Sequence, residues 1–161
     1  MNAERDRRDS GGDPCNLERY VDAQEADYAQ ALGEIRRGRK QSHWMWYIFP
    51  QIDGLGSSPT SREFAIKGLE EARAYLGHQV LGPRLLECAS ALLEFEGRSA
   101  TDILGFPDDL KLRSCATLFA RVSPEGSVFH RVLDRFYQGE PDKRTLALTG
   151  LGGACGPASR P

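Results

Sequence analysis

The sequence predicts an all-α fold, a compact single-domain bundle of about six or seven helices. Apolar residues recur at spacings of three and four along most of the chain, as in Leu17, Val21, Tyr28, Leu32 and Ile35, which places them on one face of a 3.6-residue helix. The patterned stretches open at Ser, Thr, Asp or Pro and close at Gly, the residues that start and stop helices. No segment of strand length alternates apolar and polar residues convincingly, and no internal repeat is visible.

Taken in order, residues 1–13 are charged and Gly-containing and predict a loose tail. Pro14 suits a first helical turn, and Gly38 after Arg36 and Arg37 is a C-terminal stop for the first helix. The run Arg39 to Gln51 follows, with both tryptophans and the densest aromatic content in the chain. One such ring removes roughly 150–250 Å² from water, worth about 4–6 kcal/mol at most, so this run belongs in the core. Apolar on every side, it reads equally as a short buried helix or an extended segment ended by Pro50.

A Gly- and Ser-bearing loop, 53–59, leads to Thr60, which with Glu63 makes a capping box opening a second long helix. Phe64, Ala65, Leu69, Ala72 and Leu76 supply its core face, and Gly77 ends it. A third helix follows the linker 78–84, with Leu85, Cys88, Ala89, Leu92 and Phe95 inward. Ser99 with Asp102 predicts a short helix closing at Gly105. Pro107 starts another, with Asp108 and Asp109 where negative charge is favoured and Leu112, Cys115, Ala116 and Phe119 inward. Val128, Phe129, Val132, Leu133 and Phe136 define the next helix, and Asp142 with Thr145 caps a last turn or two. The domain thus spans 14–149, and 150–161 is expected to be a disordered tail.

At 161 residues, 40% hydrophobic and 27% charged with net charge −2, the chain matches an ordinary globular protein and has no overall pull toward nucleic acid or an anionic membrane. No apolar run nears the ~20 residues of a membrane span, and the start lacks the apolar centre of a signal peptide. A cytoplasmic location is expected, and with it four free thiols. No C-x-x-C or paired His spacing is present, so neither metal nor cofactor is expected.

Several polar residues stand out. On the helix after Pro107, Lys111, Ser114 and Thr117 are three apart and form one row opposite the core face, either a solvated stripe or a site lining. Glycines at 54 and 56 before a helix start can hold an anion through backbone N–H groups, but they match neither the dinucleotide fingerprint nor the phosphate loop. The cluster Arg36, Arg37, Arg39 and Lys40 suits a helix C-terminus as well as a phosphate site. His43 reads as a core histidine or a general base, Trp44 and Trp46 as core or stacking platforms, and Gln51 as a turn cap or a ligand contact.

The segments SHWMWYIFPQ, GLGSSP, EEARAYL, LGPRL, DDLKLRSCATLF and the closing D-x-x-T-L resemble a family of small, mostly bacterial proteins numbered 1810 among the domains of unknown function, often mislabelled "calpastatin". The resemblance spans residues 14–149 and implies a compact, mainly helical domain with no assigned activity, substrate or cofactor. Gln79 departs from it, standing where the family commonly has proline. The "calpastatin" label conflicts with the packed helical faces, since an inhibitor of that kind is a disordered chain of repeats.

Three functions suit these residues. The leading expectation is a pocket for a small anionic, nucleotide-like ligand built from His43, Trp46, Gln51, Arg84, Lys111 and Ser114, in which π-faces stack a base and cations hold phosphate. An enzyme using His43 as general acid/base at that pocket is the alternative. A protein or nucleic-acid interaction module using the basic cluster 36–40 is the third, disfavoured for nucleic acid by the acidic balance. Oligomeric state is not set by any of these features.

Overall fold

The computed structural model describes residues 12–150. Among them lie α1 (Glu18–Arg37), α2 (Met45–Ile48), α3 (Pro59–Glu63), α4 (Leu69–Gly77) and α5 (Leu81–Leu92). The chain continues through α6 (Ala100–Leu104), α7 (Asp108–Ala120), α8 (Val128–Tyr137) and α9 (Lys143–Thr149). The all-α class holds, with nine helices among the described residues rather than six or seven. The expected tails lie outside the described residues apart from Gly12, Asp13 and Gly150. Asp13 is not loose, because its carboxylate accepts the Leu17 and Glu18 amides at 2.7 and 3.0 Å and caps the start of α1.

Most boundaries fall where the caps put them. Gly38 adopts the left-handed conformation and closes α1, Ser99 and Asp102 form the capping box of α6, and Asp142 caps α9 through the Thr145 amide. The expected second long helix is instead two short ones. Pro59, with its preset φ, starts α3 under a cap from Ser58, whose Oγ accepts the Ser61 amide at 3.1 Å. Helix α3 then stops because 65–67 pairs in parallel with 51–53: the Ile66 amide donates to the Gln51 carbonyl and the Asp53 amide to the Ile66 carbonyl, both at 2.8 Å. Helical periodicity in Phe64, Ala65 and Leu69 does not distinguish this short pairing from a continuous helix. The pairing closes the loop 53–66 into a fixed flap.

Helix α7 packs against α4, α6, α8 and α9, while α5 packs against α1, α4 and α8. A chain of rings crosses the core between these helices: Tyr20 meets Tyr75 edge-on at 5.0 Å, Tyr75 meets Phe119 at 5.4 Å, and Phe119 meets Phe129 at 5.5 Å. Each such pair adds roughly 0.5–1.5 kcal/mol beyond area burial. Helices α4 and α5 approach so closely that a Cβ on Gly82 would stand 2.1 Å from the Leu76 carbonyl oxygen. Backbone must move to admit it, so Gly82→Ala is expected to destabilise by about 1–3 kcal/mol. A urea melt that left the midpoint unchanged would refute that packing.

Cys88 and Cys115 are buried free thiols. Burial pushes Cys88 up to about 12, so it stays protonated and inert as a nucleophile. Cys15 is disulfide-bonded, against the expectation of free thiols, because an argument from compartment is blind to whether two cysteines lie within bonding reach. No helix among the described residues is long and apolar enough to cross a membrane.

Candidate functional site

A single buried carboxylate organises the aromatic segment. Glu34, 1% exposed, accepts hydrogen bonds from the Gln41 and Ser42 amides at 2.8 and 2.9 Å, from Ser42 Oγ at 2.6 Å, from Trp44 Nε1 at 2.8 Å and from Gln30 Nε2 at 3.2 Å. Burial works to raise this carboxyl, but the donors outweigh it and hold it at about 2. The turn after α1 is thereby folded back, Trp44 goes into the core, and α2 begins. Lys40 of the same turn reaches Asp108 at the start of α7, Nζ to Oδ2 2.9 Å.

These constraints set one wall of a cleft of about 500 Å³. That wall is Trp46 and Gln51 together with the flap residues Leu55, Gly56, Ser57, Ser58 and Ser61, and facing it are Pro107, Leu110, Lys111, Arg113 and Ser114 of the α7 segment with Asp142 and Arg144 of α9. Lys111 Nζ lies 5.8 Å from the Trp46 ring centre and 3.5 Å from Asp108 Oδ1, whose other oxygen already holds Lys40. Arg113 Nε donates to the Glu140 carbonyl at 2.9 Å, and Arg144 Nη2 to the Gly54 carbonyl at 3.3 Å. Both arginine forks are thus steered by carbonyls; Arg113 Nη2 also pairs with Glu140 Oε1 at 3.8 Å, while Arg144 has no ion pair among the described residues. Three cations and one carboxylate, Asp142, line the hollow; with Asp108 and Glu140, which pair with Lys111 and Arg113, and Lys40, which shares Asp108, the balance is four cations to three carboxylates, so the field leans to an anion by one charge.

The row on α7 proves to be a lining at one end and a joint at the other. Ser114, 6% exposed, reaches Asp142 Oδ2 at 3.2 Å and the Leu110 carbonyl at 3.3 Å. Thr117 is buried instead: its hydroxyl donates to the Arg113 carbonyl and accepts the Asp142 amide, both at 2.8 Å, and so seats the start of α9 against α7.

Of the six residues expected to form a pocket, Trp46, Gln51, Lys111 and Ser114 share the cleft, and His43 and Arg84 do not line it. His43 is exposed; it directly precedes Trp44, which goes inward to meet Glu34, and its carbonyl accepts from Tyr47 Oη at 3.4 Å. A general base at 43 therefore has no access to this cleft. Arg84 is a packing residue. Its Nη1 donates to Gln24 Oε1 at 3.2 Å and its guanidinium covers the Tyr28 ring at 4.8 Å. Buried Gln24 in turn donates to the Tyr47 carbonyl and the Tyr75 hydroxyl. The basic cluster 36–40 is divided, with Arg36 paired to Glu87 and Lys40 to Asp108.

Sequence reasoning missed Arg113, Asp142 and Arg144 as lining groups.

The family described as "Protein of unknown function (DUF1810)" matches residues 14–149. This chain belongs to it. The domain is also similar to the "conserved hypothetical protein Rv1873 from Mycobacterium tuberculosis", a crystal structure, at 49% identity and TM-score 0.83 over 85% of this chain and 98% of that one. No curated protein matches the chain.

Proposed function

We propose that this DUF1810 domain binds a small anionic ligand of nucleoside-phosphate type in the cleft between the flap and α7. The observation that carries this reading is the convergence of Lys111, Arg113 and Arg144 on one hollow beside the half-buried ring of Trp46. Cations with free N–H donors hold phosphate, an aromatic face stacks a base, and a hollow of this size suits a ligand of some twenty heavy atoms. Ser58 and Ser61 on the flap and Ser114 opposite add hydroxyls of either hydrogen-bonding sense. With His43 outside the cleft, the reading is one of binding, and the cluster 36–40 is favoured less because no hollow among the described residues gathers its four cations.

Addition of AMP at one hundred times its Kd is expected to stabilise the fold by about 2.7 kcal/mol, read as a rise in Tm. Trp44 is 1% exposed, so any quenching of tryptophan fluorescence on titration reports Trp46 and disappears in W46F. Lys111→Met and Arg144→Met are each expected to weaken AMP tenfold or more while leaving Tm nearly unchanged, since Arg144 is exposed and Lys111 half-exposed. The reading fails if AMP, ribose 5-phosphate and inorganic phosphate at millimolar concentration all leave Tm and fluorescence where they were.

A further inference from the structure

Asp142 is out of place in a hollow otherwise lined by cations. Its role as the cap of α9 uses one oxygen only: Oδ2 accepts the Thr145 amide at 3.0 Å, Thr145 Oγ1 at 2.5 Å and Ser114 Oγ at 3.2 Å. No donor among the described residues reaches Oδ1, and Asp142 forms no ion pair among them, although Arg113 and Arg144 line the same cleft. The Thr145 and Ser114 contacts, with the Asp142 amide held by Thr117, fix the carboxylate in orientation. The cleft therefore presents one rigid acceptor among its donors. For a bare anion that second oxygen is repulsive; for a ligand whose hydroxyl or amine lies next to its phosphate it is a fixed partner. An acceptor left unmatched once a ligand shuts out water is penalised, which is how a polar site rejects an analogue that lacks one hydroxyl.

We propose that Asp142 is a specificity-determining residue of this cleft, its Oδ1 accepting hydroxyl groups of the ligand's sugar, so that the ligand class is a pentose phosphate or ribonucleotide rather than a simple anion. The inference rests on the anionic-ligand reading above and narrows it. A carboxylate oxygen has two lone-pair positions and suits a pair of adjacent hydroxyls better than one. The cations then serve the phosphate and Trp46 the base, and Asp142 tests what lies between them.

The test is calorimetric titration of the full chain with AMP, with 2′,3′-dideoxy-AMP and with inorganic phosphate. AMP is expected to bind at least tenfold more tightly than the dideoxy analogue. Asp142→Asn keeps the cap, because the amide oxygen can take the place of Oδ2, and puts an NH₂ donor where Oδ1 stood. In that variant the ratio is expected to fall to near one, with the dideoxy compound and phosphate bound as well as before or better. Asp142→Ser, another good cap that deletes the second oxygen, is expected to lose the ratio likewise. Equal binding of the two nucleotides by the natural protein overturns the role of Asp142 and leaves the anion site standing. An unchanged ratio in both variants overturns it too. No binding of any of the three compounds removes both readings together.

Discussion

Glu34→Ala is expected to cost about 4 kcal/mol or more, because it orphans the Trp44 indole N–H and two backbone amides that have no other partner among the described residues, each at about 1–3 kcal/mol. That is a large share of the roughly 5–15 kcal/mol that holds a domain of this size together. Glu34→Gln keeps the shape but swaps one acceptor oxygen for an NH₂ group amid five converging donors, so it too is expected to destabilise, by less. The carboxylate also writes a pH signature. Its native value is about 2 against an ordinary 4.5. As pH falls, the unfolded chain takes up this proton first, near 4.5, and native stability drops from there until the native carboxyl protonates near 2. That difference corresponds to roughly 3 kcal/mol, fully present above pH 5 and lost across that window. Asp102, held low by the Ser99 backbone and side-chain hydrogen bonds of its capping box, adds to the acid limb of both proteins and cancels in the comparison. Urea melts of the natural protein and Glu34→Gln should therefore converge between pH 5 and 2. Parallel curves over that range would show that Glu34 is not the group that titrates.

The role of this carboxylate is not legible in the sequence. Helix α1 was legible from Leu17, Val21, Tyr28, Leu32 and Ile35, and its end from Gly38, since these are local signals of period and cap. Glu34 sits beside Ile35 on the same helix and looks like any solvated glutamate. Only the return of the chain through Gln41–Trp44 surrounds it with donors, and no spacing rule records a turn that folds back on the preceding helix. The core of the cleft behaves likewise. Lys111 and Ser114 were visible because a three-residue spacing on a helix is a geometric statement by itself. Asp142 and Arg144 join them only through the docking of α9 on α7 via Thr117, a tertiary event. His43 and Arg84 show the converse, since neither lines the cleft. Proximity in sequence to Trp44 and membership of a recognisable motif attracted a functional reading, while the structure assigns His43 to the surface and Arg84 to the packing of α5 on α1. The break at Phe64–Gly68 was illegible for a third reason: the period of a helix and the needs of a three-residue parallel pairing are both met by Phe-Ala-Ile.

Arg19→Met is expected to cost about 3–5 kcal/mol, the usual loss when one partner of a buried ion pair is removed and the other stays charged. The Arg19 and Glu71 side chains are 13% and 1% exposed and meet at 2.9 Å, and Glu71 Oε1 accepts the Lys67 amide at 2.8 Å. The guanidinium also donates to the carbonyls of Cys15, Asn16, Glu63 and Ala65 and to the Tyr20 hydroxyl. All of its N–H groups are used in one plane, which an ammonium cannot reproduce, so Arg19→Lys should recover little. The contacts to Glu63 and Ala65 fall on the return arm of the flap that walls the cleft, and the one to Glu71 on α4 just beyond it. Loss of Arg19 should therefore loosen the 51–53 and 65–67 pairing and weaken AMP as well as lower stability, whereas Gly82→Ala, far along the fold from the flap, should lower stability with affinity intact. The carboxylate left behind carries much of the penalty: adding Glu71→Met to Arg19→Met should be less damaging than the two single losses together by at least about 1 kcal/mol. Strict additivity in urea melts at pH 7 would mean that the two side chains are not coupled, and that the flap is anchored by its backbone pairing alone.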